Sequence, residues 1–141
     1  VNFGGLGRAV SGLYDALVNR APRAAALGFL AGVRKDVRRA FAQSVDPATG
    51  DPFPPLQYRT GTPLVLSGRM RAAALAAVDG ATARGTGVDI PLNDPPYSEF
   101  HQRGTARVPR RRFFAASPAT VAAARRQYAG EVVRLFVGRA G

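Results

Sequence analysis

The sequence predicts an α+β fold: two amphipathic helices packed on a small antiparallel sheet, joined by long Pro- and Gly-rich loops. Three observations carry this. Apolar residues recur at steps of three and four in two stretches, Leu27 to Phe41 and Val121 to Phe136. Between them Val88, Ile90 and Leu92 alternate with Asp89 and Pro91, the period of a strand with one buried face. The chain also holds 16 Gly and 11 Pro in 141 residues with no collagen-like period, which assigns much of the remainder to irregular connections.

A length of 141 residues is one domain, 1–141, with room for a modest core. The hydrophobic share of 46% is largely Ala, and with no Trp and one Met the core is expected to be small and Ala-lined.

Taken in order, residues 1–22 are expected to form a flexible N-terminal arm: Val1 to Gly7 mobile, a short helix from Gly12 to Arg20, and a stop near Pro22. Ala24 to Ser44 is the strongest helix, with Leu27, Leu30, Val33, Val37 and Phe41 on one face and Arg34, Lys35, Arg38 and Arg39 on the other. Asp46 to Pro63 holds five prolines and several turn signals, so an extended loop is predicted over 46–63. Ser67 is an N-cap for a short helical turn leading into Arg71 to Asp79, whose Ala, Leu and Val residues fit strand or helix, with a strand from about Ala73 to Val78 favoured. Gly80 and Gly85 to Gly87 connect it to a second strand, Gly87 to Leu92, which Pro91 places at an edge. Tyr97 to Gln102 reads as a helical turn and Arg107 to Phe114 as a third extended piece. Ser117 and Pro118 are an N-cap and first-turn pair for the last helix, whose stripe is Val121, Tyr128, Val132, Leu135 and Phe136. There is no internal repeat, heptad series or low-complexity tract beyond Ala-rich patches.

The absence of Cys removes disulfides, thiolate metal sites and thiol nucleophiles, and fits a reducing cytoplasm. No apolar run approaches the roughly 18 residues of a membrane span, and no signal-peptide pattern opens the chain, so no membrane association is expected. A formal net charge of +11 favours polyanions or acidic protein surfaces as partners. Lys35 is the single lysine among the 20 basic residues, a bias that a high-GC coding habit also produces.

Little in the sequence points to catalysis. His101 is the only histidine, and no serine lies in a Gly-x-Ser-x-Gly elbow. Asp94, Glu99 and His101 lack metal-ligand spacing, Asp46 to Asp51 lacks the ligand alternation of a calcium loop, and Gly5 to Gly7 lacks the rest of a dinucleotide fingerprint. No cofactor, metal or enzymatic activity is expected. Arg107, Arg110, Arg111 and Arg112 beside Phe113 and Phe114 are the best nucleic-acid candidate. In an extended segment, however, Arg110 and Arg112 share one face while Arg111 and Phe113 share the other.

The order of four blocks is more specific than any one of them. Asp46-Pro-Ala-Thr-Gly-Asp-Pro-Phe-Pro-Pro-Leu56 follows the basic helix, and Pro63-Leu-Val-Leu-Ser-Gly-Arg-Met-Arg71 follows that. Then come Tyr97-Ser-Glu-Phe-His-Gln-Arg-Gly104 and Val108-Pro-Arg-Arg-Arg-Phe-Phe-Ala-Ala-Ser117. The series, from about Leu27 to the C-terminus, resembles the phage virion-morphogenesis (tail-completion or tail-terminator) family of Mu-like and related tailed phages. Gly50, Pro52, Phe53, Leu56, Ser67, Gly68, Met70, Tyr97, His101, Gln102, Gly104, Pro109, Arg111, Phe113 and Ser117 match its motifs. Ala115 or Ala116 stands where Gly is common, Gln57-Tyr-Arg-Thr60 replaces a lysine-rich tract, and nothing before Arg23 has a counterpart.

The resemblance implies a structural virion protein of the tail or neck, assembled in the host bacterial cytoplasm, that completes the head-proximal end of the tail and takes part in head-tail joining. It implies a homo-oligomeric ring, with six subunits expected and twelve the alternative. Tail tube or sheath subunits and connector or neck proteins are the implied partners, with loose contact to genomic DNA in the lumen. No catalytic residue is implied. The other reading of the chain is a basic nucleic-acid-binding module.

Under the structural reading, Ser67, Gly68, Tyr97, His101, Gln102, Gly104, Pro109 and Phe113 are scaffold residues. Tyr97 and His101, four apart, are expected to anchor their turn against the sheet while Gln102 or His101 bonds backbone at the Gly104 turn. Asp46, Pro52, Phe53, Leu56, Arg34, Arg38, Arg110 and Arg112 are the expected contacts with neighbouring subunits. Loop 46–63 is expected to reach across to another subunit, and the spread Arg residues, Arg125 and Arg126 included, to meet acidic protein surfaces rather than line a DNA channel.

Overall fold

The computed structural model describes residues 3–57, 60–64, 68–85, 87–91 and 95–137. It is α+β, mainly helical with one two-stranded antiparallel sheet. Helix α1 spans Phe3–Asp15, a π-helical segment Ala16–Arg20 continues it, and α2 spans Ala21–Gln43. The remaining elements are α3 (Arg69–Asp79), β1 (Thr82–Arg84), β2 (Gly87–Asp89), α4 (Ser98–Arg103) and α5 (Pro118–Val137).

Helix begins well before Gly12, and the stop expected near Pro22 does not occur. The chain is helical without interruption from Phe3 to Gln43, and Pro22 lies in the first turn of α2 rather than stopping a helix. Ala21 N–H reaches back five residues to Ala16 O. This wider turn takes in the proline, whose ring would press on the carbonyl four residues earlier in a regular α-turn. α2 ends at Ser44, which adopts the left-handed conformation at φ 56°.

The core lies between α2, α3 and two loop segments. Val33, Val37, Ala40 and Phe41 of α2 meet Met70, Ala74 and Val78 of α3, with Phe53, Leu64 and Phe113 supplied by loops. Leu27, expected on this face, is exposed. The segment expected as a strand at Ala73 to Val78 is α3: Ala is the best helix former, and Met70, Ala74, Ala77 and Val78 are buried at helical spacing. Arg34 caps its C-terminal end, donating from Nε to Val78 O at 2.8 Å and from Nη2 to Ala81 O at 3.1 Å. A guanidinium there satisfies orphan carbonyls and opposes the negative end of the helix dipole.

The hairpin pairs Thr82 with Asp89, Ala83 with Val88 and Arg84 with Gly87, so its first strand follows α3 instead of replacing it. β2 stops before Pro91, and α2 packs on both strands. Arg107 to Phe114 joins no sheet, although burial alternates along it, with Arg111 and Phe113 buried and Arg110 exposed.

Ser117 caps α5 as expected, its Oγ accepting from Thr120 N–H at 3.2 Å. α5 packs on α2 rather than on the hairpin, and the contact face is made of small residues. A Cβ at Gly32 would stand 2.4 Å from Thr120 Oγ1, and one at Gly28 would stand 3.0 Å from Gln127 Cγ, so the two helices approach almost backbone to backbone. Tyr128, placed on the buried stripe by periodicity, is exposed. The side chains of Leu135 and Phe136 lie outside the described residues.

Candidate functional site

Residues from three of the four sequence blocks converge, and backbone groups are what they bind. Gln102, on α4, accepts at Oε1 from the N–H groups of Phe113 and Phe114 at 3.1 and 3.0 Å and donates from its amide nitrogen to Phe114 O. Arg111 N–H donates to His101 O at 2.8 Å. The buried Arg111 side chain then reaches the first block, donating from Nε to Pro54 O at 2.9 Å and from Nη2 to Pro55 O at 2.8 Å. A buried guanidinium needs such acceptors, and a backbone carbonyl offers it two lone pairs.

Gly104 belongs to the same knot. Its φ is +76°, and a Cβ there would lie 3.1 Å from the Arg110 backbone nitrogen, so a side chain would be strained by conformation and crowded against backbone. The Gln102 partners differ from expectation: they lie in the 113–114 segment rather than at the Gly104 turn. α4 is likewise fastened to that segment and not to the hairpin, and Tyr97 is exposed instead of anchoring it. Phe113 is fully buried, its ring centroid 5.3 Å from Phe41 and 5.2 Å from Phe114. Gly68 sits immediately before α3 with φ +74°, and Ser67 lies outside the described residues.

The expected partner contacts divide. Asp46 is held at home: Arg112 Nε and Nη2 grip its carboxylate at 3.0 to 3.3 Å, and its Oδ1 accepts from Ala48 N–H at 2.8 Å in turn chemistry. Phe53 is in the core. Arg39 also donates to Pro47 O, and Phe53 N–H donates to Ser44 O at 2.7 Å. Residues 46–55 therefore fold onto their own chain, because a loop with this many carbonyls is drawn to the surrounding Arg forks. Arg34 caps α3, and Arg38 pairs with Asp79. Pro52 and Arg110 remain exposed. Among the described residues, Arg71, Arg84, Arg107, Arg125 and Arg126 are also exposed and pair with no carboxylate.

Leu56, Gln57, His101, Arg107, Val108, Pro109 and Arg111 line an open cleft of about 250 Å3 beside the knot. Its walls are mainly apolar. His101 Nδ1 is buried without a hydrogen-bond partner, and burial, with the Arg111 guanidinium second, lowers the pKa of the ring below the usual histidine value. Among the described residues no three His, Asp or Glu side chains are grouped to hold a metal, and Asp94 lies outside them. No described helix is long and apolar enough to cross a membrane.

The lowered pKa has a sign. The unfolded chain takes up the His101 proton more readily than the folded one, so stability is retained above the ordinary histidine pKa and lost as pH falls through it. The denaturation midpoint is expected to drop between pH 7.5 and pH 5, and to drop less in a His101→Gln variant; equal drops would show that His101 contributes nothing.

Sequence reasoning missed Asp36. It is buried in α2, and its Oδ2 accepts from Ser117 N–H at 2.8 Å and from Thr120 Oγ1 at 2.6 Å. The signal was its place among Val33, Val37 and Ala40, which puts a carboxylate on the buried face. No family model matches the chain, and no curated protein or solved structure matches it either.

Proposed function

We propose that the chain is a structural subunit of a tailed-phage particle that completes the head-proximal end of the tail and helps join it to the head as part of a ring. One observation supports this above the rest. The blocks behind the family resemblance are up to about 60 residues apart, yet Pro54, Pro55, His101, Gln102, Arg111 and Phe113 bond or pack into one knot. Residues spent on backbone groups in this way serve a scaffold, as the motifs of an assembly subunit should. Exposed Pro52 and the uncommitted Arg residues suit contacts with neighbouring subunits.

Gold-labelled antibody against this chain is expected to mark phage particles released from the source cells at the head-tail joint. Label on the capsid face or the tail tip, or on no particle at all, would sink the proposal. Arg107, Arg110, Arg125 and Arg126 keep the nucleic-acid reading in view. That reading gains if the chain is retained on generic DNA with a steep loss of affinity as salt rises.

A further inference from the structure

α1 and the π-helical segment after it present an apolar face that stays uncovered among the described residues. Val10 (58% exposed), Leu13 (37%) and Tyr14 (65%) of α1, with Leu17 (37%) and Val18 (42%) of the π-helical segment, are spaced at i, i+3, i+4, i+7 and i+8 and make one apolar stripe. In sequence, Phe3 and Leu6 continue the same spacing toward the N-terminus. The main contact of α1 is with the π-helical segment that prolongs it, so its 13 residues project from the body by about 20 Å at 1.5 Å per residue. An isolated helix of that length holding four glycines is marginal in water. Something is needed to cover it.

We propose that this face pairs with the same face of a second copy of the chain. Charge selects that occupant. The chain carries +11, and two copies repel over most of their surface. The stripe is the exception: residues 3–20 carry Arg8, Asp15 and Arg20, Asp15 is paired with Arg20 at 3.1 Å, and on a helical wheel Arg8 and Asp15 fall on the side opposite the apolar stripe. Two copies can close this face without opposing like charges. An acidic partner finds no cation on the stripe to pair with. An anionic membrane surface favours helices with a strongly cationic polar face, which α1 lacks. α5 runs back along α2 to pack on the π-helical segment, bringing exposed Val133 and Val137 to the same end of the molecule. They widen the apolar surface toward the roughly 800 Å2 per partner of a stable interface.

This pairing does not depend on the phage assignment. The purified chain is expected to sediment at twice its 14.8 kDa, or as a larger multiple containing such pairs. The Val10→Glu/Leu13→Glu double variant should raise the dissociation constant roughly a hundredfold or more. Its unfolding midpoint, read where the parent chain is also monomeric, should stay unchanged because α1 lies outside the core. The chain has no cysteine, so single replacements give a separate readout that requires no loss of folding. Leu13→Cys should oxidise to a disulfide-linked dimer, whereas Arg8→Cys on the opposite side should remain largely unlinked. A monomeric parent chain overturns the proposal. So does an oligomer whose mass survives the double variant, or equal cross-linking at both positions. A monomer that binds phosphatidylserine vesicles through Leu13 would overturn it in favour of a membrane surface.

Discussion

Replacing Phe113 with alanine is expected to cost about 3–5 kcal/mol, the usual range for emptying a fully buried phenylalanine site. The ring is completely enclosed and tilted against Phe41 and Phe114, and it closes the core formed by Val37, Ala40, Met70 and Val78. The larger side chains of this cluster, Phe41, Phe53, Leu64 and Met70, are already packed in it, so the gap is hard to refill. Gln102 makes collapse harder still, because it fixes the Phe113 backbone from the other side. The check is urea denaturation of the purified variant with the slope compared to the parent. A loss under about 1 kcal/mol would mean that the core closes without this ring.

Asp36→Ala is expected to cost about 3 kcal/mol. The carboxylate is buried and joins the middle of α2 to the start of α5, where it accepts from Ser117 N–H and the Thr120 hydroxyl. Its removal strands two buried donors, at about 1–3 kcal/mol each less whatever water recovers, and takes a negative charge from the positive end of a 20-residue helix. Asp36→Asn should cost less, since the amide oxygen still accepts. The two variants, compared by denaturation at neutral pH, separate hydrogen bonding from charge; equal losses would assign the effect to the charge alone.

The legible parts of this fold were those in which one physical signal dominated. α2 shows its period of three and four without interruption, and Ser117-Pro118 announces α5 because cap chemistry is local. α3 was harder: an Ala-rich stretch carries little periodic contrast, and propensity, which favours helix, had to decide alone. In α1 the glycines masked the apolar stripe, and Pro22 signals a stop unless a wider turn absorbs it. Gln102 was legible as a backbone binder, since a motif amide beside a turn has few other uses. Its partners were not, because residues 113 and 114 reach it only through tertiary structure. The same holds for Arg34, Arg38, Arg111 and Arg112. A sequence displays cations as available to the outside, whereas carbonyls and carboxylates of the same chain, distant in sequence, claim them first.

The location of Phe113 and Ser117 also sets an order of events during synthesis. α2 emerges early, but its apolar face and its Asp36 carboxylate wait for residues some 80 positions later. Until the ribosome has released the chain beyond Thr120, the nascent protein holds an unfinished core and a carboxylate without its helix end. Folding that closes such distant contacts is slow compared with helix formation. The half-made chain thus passes through an interval in which exposed apolar surface invites chaperones or premature association.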